Sequence, residues 1–216
     1  MAELAAGVAH EINNPLGIIQ NYVTLLKRKP FDADGLEKLT KVEGEITRIG
    51  GIVESLLSFS KLKTLPLKRL NLAAVIDETL LLLNHKLKEK HLTLRWTKPT
   101  PEMPILGDEN KLKQVFMNLI VNSIEAVMYA GTIEIRLDAH PAQQYVEVSV
   151  IDDGYGIPEE IRQKIFDPFF TTKVGKKNTG LGLAICQHII ESHQGLITCA
   201  SGEKTTFQIR LPMLES

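Results

Sequence analysis

Apolar residues recur at helical spacing through the first sixty positions. Between Ala2 and Lys29 they return every three, four or seven residues, which places them within about 100° of one another on a helix. A second stripe of the same period runs on to about Ser60. The pattern predicts two long amphipathic helices, with the stripes formed by Leu4, Val8, Ile12, Ile19, Val23 and Leu26, and by Leu39, Val42, Ile46, Ile49, Val53, Leu56 and Leu57.

The segment from Lys29 to Gly35 separates these helices. It contains Pro30, two aspartates and a glycine, and it has the length that joins antiparallel helices. Two helices alone have only one layer against which to bury their apolar stripes. We therefore expect a homodimer through residues 1–62, closing into a four-helix bundle.

The pattern changes after a linker at residues 63–70, around Pro66. Short alternating runs now lie between amphipathic helices, which indicates a mixed domain over residues 71–216. The predicted fold class is α+β, an N-terminal helical hairpin followed by a two-layer α/β sandwich. We expect helices near 73–90 and 109–127 and one ending near Ser192, and strands near 91–96, 132–139, 145–151, 196–200 and 205–211.

Composition narrows the class of protein. The 216 residues are 44% hydrophobic, so a disordered chain is not expected. They carry 25 basic against 26 acidic side chains, a net charge of −1, so the chain lacks the overall basic excess that favours binding to nucleic acid or anionic membranes. No apolar stretch approaches the roughly 18 residues of a membrane span. Cys186 and Cys199 lie in apolar segments, as reduced cysteines do. We expect a cytoplasmic stretch without membrane contact, with any anchor outside these residues.

His10 is the first candidate for chemistry. It lies roughly 170° to 190° from the mean apolar direction of its helix, so its imidazole is expected to face water. Glu11 follows directly, Asn14 lies one turn on, and Pro15 bends the helix beside them. A neutral imidazole has one bare nitrogen that can attack, while a carboxylate on the other N–H stabilises the developing charge. An isolated surface histidine remains the alternative, whereas a HExxH zinc site lacks its second histidine.

A glycine-rich region suggests a second site. Asp152 ends an apolar strand and precedes Gly154 and Gly156, so its carboxylate can accept from an amine such as that of adenine. An Asp-Gly turn without ligand is the alternative. Further on, Thr179, Gly180, Leu181 and Gly182 lead into a helix, where backbone amides favour phosphate. Lys173, Lys176 and Lys177 just upstream either supply positive charge to a polyphosphate or form a solvated loop.

Two asparagines lie one helical turn apart. Asn118 and Asn122 share one face of a largely apolar helix. Neutral amide oxygens suit Mg²⁺, which keeps several waters and takes other ligands from nucleotide phosphates. Capping of a neighbouring loop is the alternative.

Together these motifs resemble the catalytic core of a bacterial two-component sensor histidine kinase. Ala9 to Leu16 resembles its phosphoacceptor box, Asn118 to Asn122 its asparagine box, and Asp152-x-Gly154-x-Gly156 its first glycine box. Phe166 to Lys173 matches the phenylalanine box and Gly180 to Leu183 the second glycine box. Five motifs in family order cover nearly the whole chain.

The resemblance implies a sequence of roles. ATP would bind with Asp152 at adenine, Asn122 on Mg²⁺, and Gly180 and Gly182 near the phosphates, with Asn118 assisting. His10 would attack the γ-phosphate with Glu11 as its base, and the phosphoryl group would pass to an aspartate of a response regulator. Glu11 with Asn14 also resembles the pattern for hydrolysis of the phosphorylated regulator.

Departures and rival functions accompany this resemblance. Asn178 stands where the second glycine box usually begins with glycine, and the turn before Thr205 lacks a glycine that the family often has. We expect an altered lid and a shortened turn. The rivals are a non-catalytic nucleotide-binding dimeric scaffold and an ATPase of the same fold.

Overall fold

The computed structural model describes residues 2–27, 31–60, 67–98, 104–172 and 180–214, with side chains in these ranges except those of residues 2–11, 14, 15, 48, 51, 52 and 54–60. The two N-terminal helices belong to one compact unit, and the sheet with its helices belongs to another. The α+β class expected from the sequence is confirmed. The proposed domain boundaries stay a prediction, since residues 61–66 lie outside the described ranges.

The first unit contains a helical hairpin. α1 spans Ala2–Lys27 and α2 spans Ala33–Ser60. Leu16, Val23 and Ile46 form its buried core. Lys27 of α1 pairs with Glu43 of α2. Val23 and Ile46 of the predicted stripes are therefore in this core, but Leu16 was not predicted. Ile19 and Leu26 of the first stripe are exposed, and Leu4, Val8, Leu56 and Leu57 lie outside the described side chains.

α2 begins earlier than the breaker segment suggests. The Asp32 side chain accepts from the backbone N–H of Gly35 at 2.8 Å, and its carbonyl accepts from Leu36 N–H at 3.1 Å. Asp32 thus satisfies amide groups that a helix start otherwise leaves open. The helix can begin at Ala33 for this reason, two residues before Gly35.

A five-stranded sheet organises the second unit. Its order is β2-β4-β5-β7-β6, with β2 parallel to β4 and the other neighbours antiparallel. The strands are β2 (Thr93–Thr97), β4 (Thr132–His140), β5 (Tyr145–Asp152), β6 (Leu196–Ser201) and β7 (Thr205–Pro212). Alternate side chains point into the core, as in Ile133, Ile135 and Leu137 of β4. Burying each such side chain contributes about 1.5–3 kcal/mol.

Three longer helices accompany this sheet. They are α3 (Leu72–Glu89), α4 (Glu109–Ala126) and α6 (Gly182–Ser192), while α5 (Glu159–Arg162) is one turn long. α4 packs against both α3 and α6, and it also contacts β5. The predicted two-layer sandwich is confirmed, with α4 as its central helix.

Two short strands were not expected. β1 (Lys68–Asn71) and β3 (Pro104–Gly107) pair antiparallel, with Lys68 opposite Gly107. β1 lies largely in the stretch that the sequence suggests as linker. It leads directly into α3, because the Asn71 side chain accepts from Ala73 N–H at 2.9 Å and caps that helix.

Within the described ranges, no helix combines the length and apolar character that a membrane crossing needs.

Candidate functional site

The carboxylate of Asp152 lies at the end of β5 with only 2% of the residue exposed. Its Oδ2 accepts from Ser123 Oγ at 2.8 Å, and its Oδ1 accepts from Gly154 N–H at 3.0 Å. Each carboxylate oxygen has a further lone pair. The side chain is therefore fixed in place and still has capacity to accept from a ligand N–H.

The surroundings of Asp152 shift its protonation. Burial, the largest effect, raises the pKa of this carboxyl above its usual value, and the nearby Asp153 raises it further. The bonds from Ser123 and Gly154 act in the opposite direction, because they stabilise the charged form. Burial therefore disfavours the charged form of Asp152, and the two hydrogen bonds partly offset that effect.

Two hydroxyl residues beside Asp152 were not predicted from the sequence as part of the site. Ser123 follows Asn122 on α4 and is 1% exposed, and Thr205 stands opposite Asp152 in the pairing of β5 with β7. Directly opposed residues of antiparallel strands share a face of the sheet. A buried serine next to the paired asparagines was the only available signal, and nothing in the sequence indicated the strand register that brings Thr205 to the site.

Gly154 lies where two backbones approach closely. A Cβ on this residue would stand 2.8 Å from the carbonyl carbon and oxygen of Ala126, at the end of α4. Such a separation is shorter than real Cβ contacts. Glycine at 154 therefore allows the loop after β5 to run against α4, which supports its predicted place at the site.

α4 brings the asparagines to the same region as Asp152. Asn118 and Asn122 are half-buried, and Asn122 directly precedes the serine that bonds Asp152. Asn118 Nδ2 donates to the carbonyl of Gly182 at 3.3 Å, where α6 begins. One helix therefore connects the asparagine pair, the carboxylate at the end of β5 and the first residue of α6.

Gly180 adopts a conformation that favours glycine. Its φ is +70°, and a Cβ there would stand 2.5 Å from the carbonyl carbon of Phe169. A side chain at position 180 would therefore be strained and would clash, so the residue needs to be glycine. Leu181 is buried, whereas Lys173 and Thr179 lie outside the described residues.

An open cleft lies on the loop that follows Asp152. Its volume is about 310 Å³, and Gly156, which has a φ of +79°, is part of its wall. Asn118, Asn122 and Asp152 do not line it. The cleft is therefore formed apart from the polar cluster on α4 and β5, by Tyr155, Gly156, Ile157, Pro158, Glu159, Arg162, Ser201 and Gly202.

The candidate phosphoacceptor residues belong to the helical hairpin. His10, Glu11 and Asn14 all lie within α1, as the sequence predicts. The directions of their side chains lie outside what the structure describes, so the outward imidazole stays a prediction.

The donor types near the site suit a metal that is shared with a phosphate ligand. Among the described residues there is no group of three histidine, cysteine or carboxylate side chains able to hold an ion alone. The amide oxygens of Asn118 and Asn122, one turn apart on α4, fit Mg²⁺, which usually takes one or two protein ligands together with phosphates and water.

Two families match successive parts of the chain. Residues 1–65 match the His Kinase A (phospho-acceptor) domain. Residues 107–215 match the histidine kinase-, DNA gyrase B- and HSP90-like ATPase family. The first match contains His10, and the second contains Asn118, Asn122 and Asp152.

Curated relatives extend across both parts. The signal transduction histidine-protein kinase AtoS of Escherichia coli (strain K12) is 38% identical over 215 residues, covering 99% of this chain and 35% of AtoS. Sporulation kinase A of Bacillus subtilis (strain 168) is 39% identical over 215 residues, covering 97% of this chain and 34% of that kinase. The chain therefore spans about a third of the length of these relatives.

Solved structures share the arrangement of elements. The histidine kinase ThkA, in a crystal structure with the response regulator protein TrrA, aligns with a TM-score of 0.72 at 33% identity, over 98% of this chain and 61% of that one. Full-length ShkA in complex with AMPPNP aligns with a TM-score of 0.84 at 24% identity, over 100% of this chain and 47% of that one. The second likeness concerns the fold alone.

Proposed function

This chain belongs to the two-component sensor histidine kinases, and from that premise we propose that it transfers the γ-phosphoryl group of ATP to His10 and then to an aspartate of a response regulator. The observation that carries the proposal is the succession of a phosphoacceptor domain and an ATPase domain within one chain. The polar cluster on α4 and β5 gives the second domain a physical basis for binding nucleotide.

Asp152 selects the base. Its free lone pairs accept from the exocyclic amine of adenine, while Ser123 and Gly154 hold the carboxylate in one orientation. Burial excludes competing water, so this bond counts for more than it would at the surface. A nucleobase with a carbonyl in place of the amine would place one acceptor against another, the Asp152 carboxylate, and would therefore bind less tightly.

The start of α6 receives phosphate. Amides at a helix N-terminus lack internal partners and lie at the positive end of the helix dipole. α6 begins at Gly182, and the carbonyl of Gly182 accepts a hydrogen bond from Asn118 Nδ2. Gly180 and Leu181 lead the chain into this helix, and Lys173 and Thr179, which precede them in the sequence, are expected to contribute.

Asn122, assisted by Asn118, holds Mg²⁺. The ion supplies positive charge that offsets the negative charge on the phosphates. A neutral amide is suited to this role, since it binds the cation without adding negative charge beside the nucleotide. The contact between α4 and Asp152 fixes where these amides stand relative to the base.

Replacement of Asn122 by aspartate is expected to slow Mg-ATP use by roughly tenfold to a hundredfold. The new carboxylate repels the phosphates and changes the ligand set of the metal. The measurement is the initial rate of protein phosphorylation as the Mg²⁺ concentration is varied. Asn84→Asp, the same change at an exposed position of α3, serves as the control. An unaltered rate and Mg²⁺ dependence in Asn122→Asp would remove Asn122 from the metal site.

His10 is the nucleophile. Its bare imidazole nitrogen attacks the γ-phosphorus, the bond from that phosphorus to the bridging oxygen breaks, and ADP leaves. Glu11 accepts the proton of the other ring nitrogen and stabilises the charge that develops there. The additional role of Glu11 and Asn14 in hydrolysing the phosphorylated regulator stays a prediction.

A second copy of the chain covers the rest of the hairpin. Several large apolar side chains remain exposed in the single copy, with Ile18 at 57%, Tyr22 at 64% and Leu25 at 54%. Val42 and Ile49 of α2 are exposed to 43% and 39%. A four-helix bundle formed by two hairpins buries such faces, which supports the homodimer through residues 1–62.

The phosphoryl acceptor is a response regulator. ThkA, which resembles this chain over both domains, crystallised with the response regulator TrrA. We place the docking surface on the helical hairpin near His10, where an aspartate of the regulator can reach the phosphorylated ring.

Incubation of the chain with γ-labelled ATP and Mg²⁺ tests the proposed kinase activity. We expect labelled protein whose phosphate bond survives alkali and is lost in acid, the behaviour of a phosphorylated imidazole. Subsequent addition of a response regulator should move the label to that protein. Nucleotide binding without any label would favour the scaffold, and steady phosphate release without labelled protein would favour the ATPase.

A further inference from the structure

His193 is a buried histidine that the proposed reaction does not use. It follows α6 directly and is 4% exposed. Its Nε2 lies 2.9 Å from the backbone N–H of Asp108, and its Nδ1 lies 2.7 Å from the carbonyl oxygen of Ile189. A carbonyl only accepts and an N–H only donates, so Nδ1 carries the proton and Nε2 is bare. The ring is therefore neutral in this arrangement.

The ring connects the end of α6 to the start of α4. Asp108 is the N-cap of α4, and its side chain accepts from Lys111 N–H at 3.1 Å. Neighbouring Gly107 leaves no spare room, because a Cβ there would lie 2.7 Å from Leu112 Cδ1 and 3.4 Å from His193 Cδ2. His193 is thus held by both hydrogen bonds and packing.

A second hydrogen bond joins the same two helices at the N-terminal end of α6, where the phosphates are proposed to bind. Asn118 Nδ2 donates to the carbonyl of Gly182, the first residue of α6. From Asp108 to Asn118 α4 rises about 15 Å, and from Gly182 to His193 α6 rises about 16 Å, at 1.5 Å per residue. The distance between the two connections is therefore nearly the same along α4 as along α6, and the two helices run antiparallel. Together the connections set the register of α6 against α4.

We propose that His193, in its neutral form, is a positioning residue for nucleotide binding: it holds α6 in the register that places its N-terminus beside Asn118 and Asn122. The inference rests on the proposed kinase function and adds to it a residue far from the nucleotide. Loss of the bond to Asp108 would let α6 slide or tilt against α4, and the phosphate-binding end of α6 would move.

Nucleotide affinity of the full 216-residue chain tests the proposal. The dissociation constant of the non-hydrolysable analogue AMPPNP with Mg²⁺ is measured by calorimetry at pH 8, well below the melting temperature. His193→Gln retains an acceptor for Asp108 and a donor for Ile189, so it should bind like the wild type. His193→Leu lacks both groups and should bind about threefold to tenfold more weakly.

Comparison of the two variants separates positioning from stability. Both lose the imidazole ring, but only His193→Leu loses the groups that can bond Asp108 and Ile189, so affinity and melting temperature are measured for both. His85→Gln, on the exposed face of α3, should bind AMPPNP like the wild type. If His193→Leu does not fold, His193→Asn takes its place, because its shorter side chain cannot reach both partners.

Two results would overturn the proposal. If His193→Leu only melts earlier and binds AMPPNP as tightly as the wild type, the residue has a structural role. If His193→Gln binds AMPPNP as weakly as His193→Leu, the hydrogen bonds to Asp108 and Ile189 are not what positions α6. Absence of AMPPNP binding by the wild type at pH 8 would instead contradict the proposed kinase function, and with it this inference.

Discussion

Replacement of His10 by glutamine is expected to abolish protein phosphorylation, a loss of at least about a thousandfold. Glutamine is polar, neutral and similar in length to histidine, but its amide nitrogen is a very poor nucleophile. Because His10 lies in α1, whereas Asn118, Asn122 and Asp152 lie in the unit that contains the sheet, the substitution should leave ATP binding unchanged. The measurement is incorporation of label from γ-labelled ATP, quantified after alkaline electrophoresis.

Two comparisons make this result specific. His85→Gln changes a histidine whose side chain is 92% exposed on α3, and this variant should be labelled like the wild type. Nucleotide affinity of His10→Gln should match the wild type within the error of calorimetry. Alkali-stable, acid-labile label that persists in His10→Gln would mean that another histidine is the acceptor, and the assignment of His10 would be wrong.

The central helix of the nucleotide unit was largely predictable from sequence. The amphipathic pattern indicated a helix over about 109–127, and α4 spans Glu109–Ala126. The one-turn spacing of Asn118 and Asn122 placed both amides on one face. Local rules suffice for such features, because a helix depends on contacts between residues that are close in the chain.

Features that depend on distant partners were missed. β1 and β3 have four residues each, and their pairing joins positions more than thirty residues apart. Neither run is long enough to show alternation. The meeting of Ser123 with Asp152 is of the same kind, since it depends on how α4 lies against β5.

The helical hairpin shows a different limit of sequence patterns. Ile19 and Leu26 belong to the predicted apolar stripe of α1, but they are 45% and 39% exposed in the single copy. Periodicity reports that a face is apolar, and it does not report whether the face is covered by the same chain or by another copy. The stripe therefore marks an apolar surface without identifying which side chains the hairpin itself buries, as the buried Leu16 outside the stripe shows.

Replacement of Asp152 by asparagine should separate stability from nucleotide binding. The amide oxygen can accept from Gly154 N–H and the amide nitrogen can donate to Ser123 Oγ, so the internal bonds can be kept. The amine of adenine, however, loses a charged acceptor. We expect ATP affinity to fall by roughly a hundredfold, measured by calorimetry, while Asp138→Asn at an exposed position of β4 should retain the wild-type affinity.

The pH dependence of stability gives an independent test of the same carboxylate. Burial raises the pKa of Asp152 in the folded state above its ordinary value of 3.8, so the folded protein binds this proton more tightly than the unfolded chain does. The contribution of Asp152 to the free energy of unfolding therefore declines as the pH rises from that value through the raised pKa, and it is unfavourable at neutral pH. In urea unfolding at pH 7, Asp152→Asn should be at least as stable as the wild type, and the wild type should gain relative to the variant on acidification. A variant that is much less stable at pH 7 but binds ATP normally would show that Asp152 supports the fold and does not recognise the base.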